Sequence, residues 1–334
     1  MNNDRKFPAG VLVTAGNVCL DEMMLTPTER LVDTNGVTLR VTEAGERGNP
    51  VVVLAHGFPE LAHSWRHQIP ELAAAGYHVL APDQRGYGGS SRPEAIEDYD
   101  IIELTNDIAG LLDDVGAERA VLIGHDWGSP VVTNFPLFHP ERVRAVAALS
   151  VPPIPRASAP PTQIWRGIFG DNFFYILYFQ EPGVADAALG ADPRASLQRM
   201  VALEGFTGPV DEMADNPLPP LPEWMSAEEF EEYARAFEAT GFTGPLNWYR
   251  NFDRNWELTD PAAGRVVTTT ITAPVLFLAG SADPVLSFTP RDHVREVATG
   301  EYYEVLLEGA GHWLQQERPT EVNAVLLEFL GGLA

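Results

Sequence analysis

The feature that most constrains this chain is the stretch Val121-Leu122-Ile123-Gly124-His125-Asp126-Trp127-Gly128-Ser129. An apolar run of strand type stops at a glycine, a polar residue follows, and a helical pattern comes next. The pattern Gly-x-nucleophile-x-Gly marks a sharp strand-to-helix turn that lifts one side chain above a sheet. Serine usually holds that position; here it is Asp126. With a reference pKa of about 3.9, a carboxylate is ionised at neutral pH and needs no base to deprotonate it. It is a modest nucleophile, suited to displacement at a saturated carbon that bears a strained or good leaving group. The product is an alkyl ester of the protein itself.

Elsewhere strands alternate with helices, the pattern of a mostly parallel, doubly wound sheet. Residues 30–34 and 37–42 flank Asn35-Gly36, a two-residue hairpin signal. Residues 51–55, 77–82, 143–150, 273–280 and 302–307 read as further strands, and 65–75, 99–115 and 319–330 as helices. A short, continuous apolar run such as 51–55 belongs to a strand buried on both faces. At Val151 the alternation breaks, with Pro152, Pro153, Pro155, Pro160 and Pro161 close together. From there to about residue 265 aromatics are dense and no buried strand is evident. Ser226-Ala227-Glu228-Glu229 is a capping box ahead of the apolar stripe Phe230, Tyr233, Ala234 and Phe237. The expected organisation is an α/β body from residues 25–152 and 267–334, with a helical cap, residues 153–266, inserted over the sheet. Residues 1–24 are expected to be a disordered extension in which Met23 or Met24 is the natural start.

The chain holds 47 acidic against 22 basic residues, a net charge of −25. That balance argues against nucleic acid, whose phosphates need a basic face, and against anionic lipid. No apolar run reaches the ~18 residues that span a bilayer, and residues 7–18 are too interrupted for a signal peptide. The single cysteine, Cys19, allows no intrachain disulfide and fits a reducing compartment. A cytoplasmic protein, monomer or homodimer, is expected. The eight histidines and one cysteine show no metal-ligand spacing. The Gly-rich loop 83–90 lacks the spacing of a phosphate cradle. Neither metal nor cofactor is expected, and the loop is read as a tight loop with an internal Asp83–Arg85 polar network.

Three groups fall at the carboxyl ends of expected strands, where open α/β sheets build their sites: Asp126, Asp283 and His312. Their order is nucleophile, acid, base. The other place for the acid, residues 151–155, holds no carboxylate. Since Asp126 needs no base, His312 held by Asp283 is free to activate water against the ester carbonyl. The oxyanion forms on Asp126, so its donors should be nearby backbone amides, those of Trp127 and of Phe58 in His56-Gly57-Phe58-Pro59-Glu60. His56 and His125 are read as hydrogen-bonded structural groups, and Trp127 as a pocket wall.

Five stretches carry a resemblance. They are residues 56–60 quoted above, Gly124-His125-Asp126-Trp127-Gly128, Tyr175-Ile176-Leu177-Tyr178-Phe179-Gln180-Glu181-Pro182-Gly183, Phe242-Thr243-Gly244-Pro245-Leu246-Asn247-Trp248-Tyr249-Arg250-Asn251, and Gly311-His312-Trp313. Over about residues 25–334 the chain resembles the α/β-hydrolase-fold epoxide hydrolases of the soluble type. The resemblance implies conversion of an epoxide and water to a vicinal diol. It also implies two cap tyrosines that hydrogen-bond the epoxide oxygen and donate a proton to it. Tyr175 and Tyr249 match them, and Tyr178, three residues on, is the alternative to Tyr175. A phenol of pKa about 10 stays protonated at neutral pH yet is more acidic than an alcohol. Phe58, Trp127, Tyr178 and Trp248 are expected to line the pocket, and the substrate to be a small apolar or aromatic epoxide. A haloalkane dehalogenase is the alternative, since it shares the Asp-Trp turn. Such enzymes use the Trp indole and a second donor from the His-Gly loop to hold halide. Phe58 and Glu60 supply no such donor, and the paired tyrosines would be unexplained.

Overall fold

Asn35 and Gly36 both take positive φ, 46° and 75°, as a type I′ turn requires. They close β1 (Thr28–Thr34) onto β2 (Val37–Ala44) as an antiparallel hairpin. In the computed structural model the described residues are 26–202, 208–209 and 216–333. The expected N-terminal extension lies outside them. Six more strands follow: β3 (Val51–Ala55), β4 (His78–Pro82), β5 (Ala120–His125), β6 (Val143–Leu149), β7 (Val275–Gly280) and β8 (Tyr302–Leu307). The sheet order is β1-β2-β4-β3-β5-β6-β7-β8. β2 also pairs antiparallel with β4, and all the remaining pairs are parallel.

The buried runs explain the parallel centre. Val51, Val53 and Ala55 of β3 enter the core on one face, and Val52 and Leu54 the core on the other. β5 divides the same way, Leu122 to the first face and Val121 with Ile123 to the second. Each such valine, leucine or isoleucine contributes roughly 1.5–3 kcal/mol through burial, and a one-residue slip would exchange the two faces.

Helix starts follow their caps. Helix Ile101–Asp114 begins after Asp100, whose carboxylate accepts from the amides of Ile102 and Glu103 at 3.0 and 3.1 Å. Tyr99 therefore ends a preceding 3₁₀ turn, Ile96–Tyr99, and does not open the helix as its spacing suggested. The expected helix over 65–75 divides into a 3₁₀ turn, Ala62–Trp65, and a short helix, Ile69–Ala74. Pro70 accounts for the break, because a residue without an N–H fits only the first turn of a helix.

Between β6 and β7 the described residues form helices and no strand. The chain passes through Pro161–Phe169, Tyr175–Tyr178, Val184–Ala191, Pro193–Val201, Ala227–Thr240, Thr243–Arg250 and Phe252–Leu258. Their aromatic side chains are continuous with one face of the sheet: Phe174, Phe179, Tyr233, Trp248 and Tyr249 share a buried cluster with Leu39, Val53 and Leu122.

The loop after β4 departs from expectation. Asp83 and Arg85 do not pair. Asp83 accepts from the amides of Ala62 and Gly89, both at 3.0 Å, and faces Arg40 at 3.0 Å. Arg85 instead forms a two-point pair with Asp107 on helix Ile101–Asp114, at 2.9 and 2.7 Å. A planar guanidinium meets a carboxylate best through two parallel bonds, and Asp107 offers that geometry.

Candidate active site

The turn after β5 is held by close backbone packing. A Cβ at Gly124 would strike the Gly128 carbonyl, and one at Gly128 would strike that of Ala55 on β3. Both positions therefore need glycine. Asp126 between them has φ 49°, a left-handed conformation costing an L-residue roughly 1–2 kcal/mol. Its carboxylate stands over Gly57, where a Cβ would overlap it. That clearance lets the amide of Phe58 donate to Asp126 Oδ1 at 2.7 Å. The amide of Trp127 bonds the same carboxylate. Helix Gly128–Phe138 starts directly behind, so its N-terminal dipole also favours the anion. The Phe58–Pro59 peptide is cis.

Strand order sets the neighbours. β5, β6, β7 and β8 are adjacent and parallel, so Asp126, Ser150, Asp283 and His312 follow one another along one edge. Asp283 and His312 are buried. His312 Nδ1 faces both oxygens of Asp283 at 3.1 Å, and its Nε2 stands 3.7 Å from Asp126 Oδ2. One oxygen of Asp126 is thus bound to main chain and the other faces the imidazole.

The helical segment covers this edge with tyrosines. Tyr249 on helix Thr243–Arg250 is buried, with ring centroids 5.3 Å from Phe58, 5.2 Å from Trp127 and 5.0 Å from Phe179. Tyr175 opens the four-residue helix Tyr175–Tyr178, and its ring lies 6.1 Å from that of Tyr249. Tyr178 packs against Phe173 at 5.6 Å and Phe179 at 6.0 Å.

Known proteins similar to this chain are many. The α/β-hydrolase fold family model matches residues 50–319. Epoxide hydrolase A from Mycobacterium tuberculosis is 65% identical, over 93% of this chain and 99% of that protein. Epoxide hydrolase 3 from Siraitia grosvenorii is 38% identical, over 90% and 96%. The crystal structure of epoxide hydrolase A from Mycobacterium thermoresistibile superposes with a TM-score of 0.86 at 60% identity, covering 92% of this chain and 99% of that one. The chain belongs to the epoxide hydrolases of the α/β-hydrolase fold. These are hydrolases acting on ether bonds, and the substrate class is the small-molecule epoxide. Among the described residues no helix is long and apolar enough to cross a membrane.

In this epoxide hydrolase, electrostatics divide the site. Burial raises the Asp126 carboxyl above its ordinary value, opposed by His312, His125 and the two amides. Burial works against a charged His312, but Asp283 and then Asp126 outweigh it and lift the imidazole to about 9. Asp283 is held below the ordinary carboxylate range: burial opposes its charge, and His312 more than compensates. Tyr175 and Tyr249 are both raised, first by burial and then by the charge of Asp126. The indole of Trp127 bonds the Tyr249 hydroxyl and partly offsets that rise.

Trp248 does not line a ligand space. It is fully buried, its indole N–H donates to the Arg85 carbonyl at 3.0 Å, and its ring meets the edge of Trp127 at 5.8 Å. It reaches the site through Trp127. His56 is a neutral hydrogen-bonded group: Nε2 accepts from the Gln84 amide and Nδ1 donates to the Gly57 carbonyl, both at 2.9 Å.

Two features escaped sequence reasoning. Ser150, with φ 67°, donates to the His312 carbonyl at 3.0 Å and also reaches Asp283. Only its place at the end of β6, between the nucleophile strand and the acid strand, could have pointed to it. The sequence offers Glu60 only as a loop residue without a halide donor. It is a fully engaged buried carboxylate, bonded to His125, the Gly57 amide, Gln315 and Gln316.

Proposed function

We propose that this epoxide hydrolase works through an ester on Asp126, in two steps that its residues divide between them. The division of the Asp126 carboxylate carries the reading. Oδ1 accepts from the Phe58 amide at 2.7 Å, while Oδ2 faces the imidazole of His312 at 3.7 Å. Oδ2 is the nucleophile. It bonds to an epoxide carbon as the ring C–O bond breaks, and Tyr175 and Tyr249 hydrogen-bond the leaving oxygen and supply its proton. The ester then needs water at Cγ. His312, oriented by Asp283, takes the water proton. The amides of Phe58 and Trp127 hold the oxyanion; as it collapses, the His312 imidazolium gives its proton to the departing oxygen of the diol, and the second water proton, left on the Asp126 carboxyl, replaces the one the tyrosines supplied, restoring the carboxylate.

The steps are linked through charge. Asp126 helps to keep His312 protonated before the first step. Esterification removes that charge, so the imidazole loses one of its supports when it must act as a base. Tyr175 stands over Asp126 beside Tyr249, which supports it over Tyr178 as the second donor.

In this reading the helices of residues 153–266 act as a cap that closes an aromatic pocket, lined by Phe58, Trp127 and Tyr178, over the body formed by 25–152 and 267–334. The rings around Tyr249 support an apolar or aromatic epoxide. The lone cysteine supports a cytoplasmic setting for a monomer or homodimer. A single turnover in H₂¹⁸O tests the route. The expected first diol carries unlabelled oxygen and the Asp126 peptide gains ¹⁸O. Label in the first diol, with Asp126 unlabelled, would replace the ester by direct attack of water.

A further inference from the structure

A polar chain runs from the helical segment to the main chain of His312, and no step above uses its outer part. It begins on helix Ala227–Thr240. Glu229, third in that helix, divides its carboxylate: Oε2 accepts from the Ser226 amide at 2.8 Å, and Oε1 accepts from Arg66 Nε at 2.6 Å. Arg66 then donates to Gln316 Oε1 at 2.6 Å. Tyr233, one turn after Glu229, donates its hydroxyl to the same oxygen at 3.1 Å. Gln316 Nε2 donates to Glu60 Oε1 at 2.9 Å. Glu60 Oε2 meets His125 Nδ1 at 2.7 Å, and His125 Nε2 meets the His312 carbonyl at 2.8 Å.

Chemistry gives this chain one direction. The Gln316 oxygen accepts from Arg66 and its nitrogen donates to the Glu60 carboxylate, so a flipped amide would set donor against donor and acceptor against acceptor. Glu60 is ionised: burial opposes its charge, but His125 holds it below the ordinary range. Each nitrogen of His125 faces an acceptor, Glu60 Oε2 on one side and the His312 carbonyl on the other. Charges alternate from Glu229 through Arg66 to Glu60. Tyr233, Gln316, Glu60 and His125 are all buried, where broken polar links are costly.

We propose that Gln316 is a positioning residue that, through Glu60 and His125, holds the main chain of His312 where its imidazole meets water, and does so while helix Ala227–Thr240 is seated. This rests on the two-step reading above. Attack by Asp126 does not use His312 as a base, whereas ester hydrolysis does. Loosening the chain should slow the second step and spare the first.

Rapid-quench mass spectrometry of the Asp126 peptide measures the two rates separately, using styrene oxide as an aryl epoxide probe. Gln316→Leu is expected to slow ester hydrolysis about 3- to 30-fold, the usual span for a residue acting through others, with alkylation unchanged. Where hydrolysis limits turnover, kcat and KM then fall together and kcat/KM holds. Tyr233→Phe keeps the packed ring and removes only the hydroxyl; a smaller shift of the same kind is expected, and it carries the test if Gln316→Leu does not fold. Arg254→Met is the control. Arg254 pairs with Asp100 at 2.9 Å, joining the helical segment to the body away from this chain. Its loss should lower the melting temperature without changing the ratio of the two rates. Equal slowing of both steps, or no change in either variant, overturns the proposal. A wild-type enzyme that never carries an ester on Asp126 overturns the two-step reading instead, and that is seen before any variant is made.

Discussion

The body and the helical segment place their chemical groups by different means. Asp126, Asp283 and His312 sit on tight turns at the ends of adjacent strands, fixed by directed bonds such as the 2.7 Å contact from Phe58 and the 3.1 Å contacts to Asp283. Tyr175 and Tyr249 sit on short helices and are located mainly by ring packing, with Phe58, Trp127 and Phe179 all within 6 Å of Tyr249. Aromatic pairs contribute about 0.5–1.5 kcal/mol each and tolerate small shifts, whereas hydrogen bonds weaken steeply off their axis. On the proposed route the body therefore fixes the nucleophile and the base closely, and the helical segment presents donors that adjust to the substrate.

This contrast breaks first at Asp126. Asp126→Ala is expected to reduce diol formation to background in a chromatographic assay, and turnover near the wild-type rate would end the covalent route. His312→Gln should lower turnover about 100- to 10,000-fold, a base's share, while ester builds up on the Asp126 peptide. A loss without ester would assign His312 to the first step. Tyr175→Phe and Tyr249→Phe should each slow alkylation about 10- to 1,000-fold, the scale of losing one donor at a developing anion. Tyr178→Phe should leave that rate almost unchanged; the reverse order would exchange Tyr175 and Tyr178.

The smallest effects are electrostatic. NMR titration should find the His312 imidazole near 9 in the wild type, lower in Asp126→Asn and lowest in Asp283→Asn. Because the folded-state pKa is raised, the stability His312 contributes is complete below its unfolded pKa of about 6.5 and is lost as pH climbs through about 9. Asp283→Asn should flatten that loss in denaturant melts taken across the window. An unchanged slope would mean that His312 and Asp283 are not coupled.

Much of the body was legible because its signals are local. Asn35-Gly36, the apolar run of β3 and the Gly-x-Asp-x-Gly turn each report their own backbone. Strand alternation then brings Asp126, Asp283 and His312 to one edge. Pairings across the fold were not legible. Arg85 is two residues from Asp83 in sequence, but its two-point partner is Asp107 on a helix that only the tertiary fold brings near. Trp248 belongs to a motif matched by resemblance, yet motif membership does not say which of two neighbouring aromatics faces inward; Tyr249 meets the site and Trp248 stands behind it. Glu60 read as a loop carboxylate because its partners Gln315 and Gln316 lie 255 and 256 residues away.

The donors to the Asp126 carboxylate belong to the main chain of Phe58 and Trp127, and on the proposed route the side chains of those residues form the pocket walls. On that route anion stabilisation and cavity shape are inherited through separate parts of the same two residues. A lineage exchanging either ring for another apolar group changes which molecules fit without touching the amides. Such a site can drift across substrates while its reaction stays constant, and Gly57, where any side chain would collide with Asp126, is the neighbouring position denied that freedom.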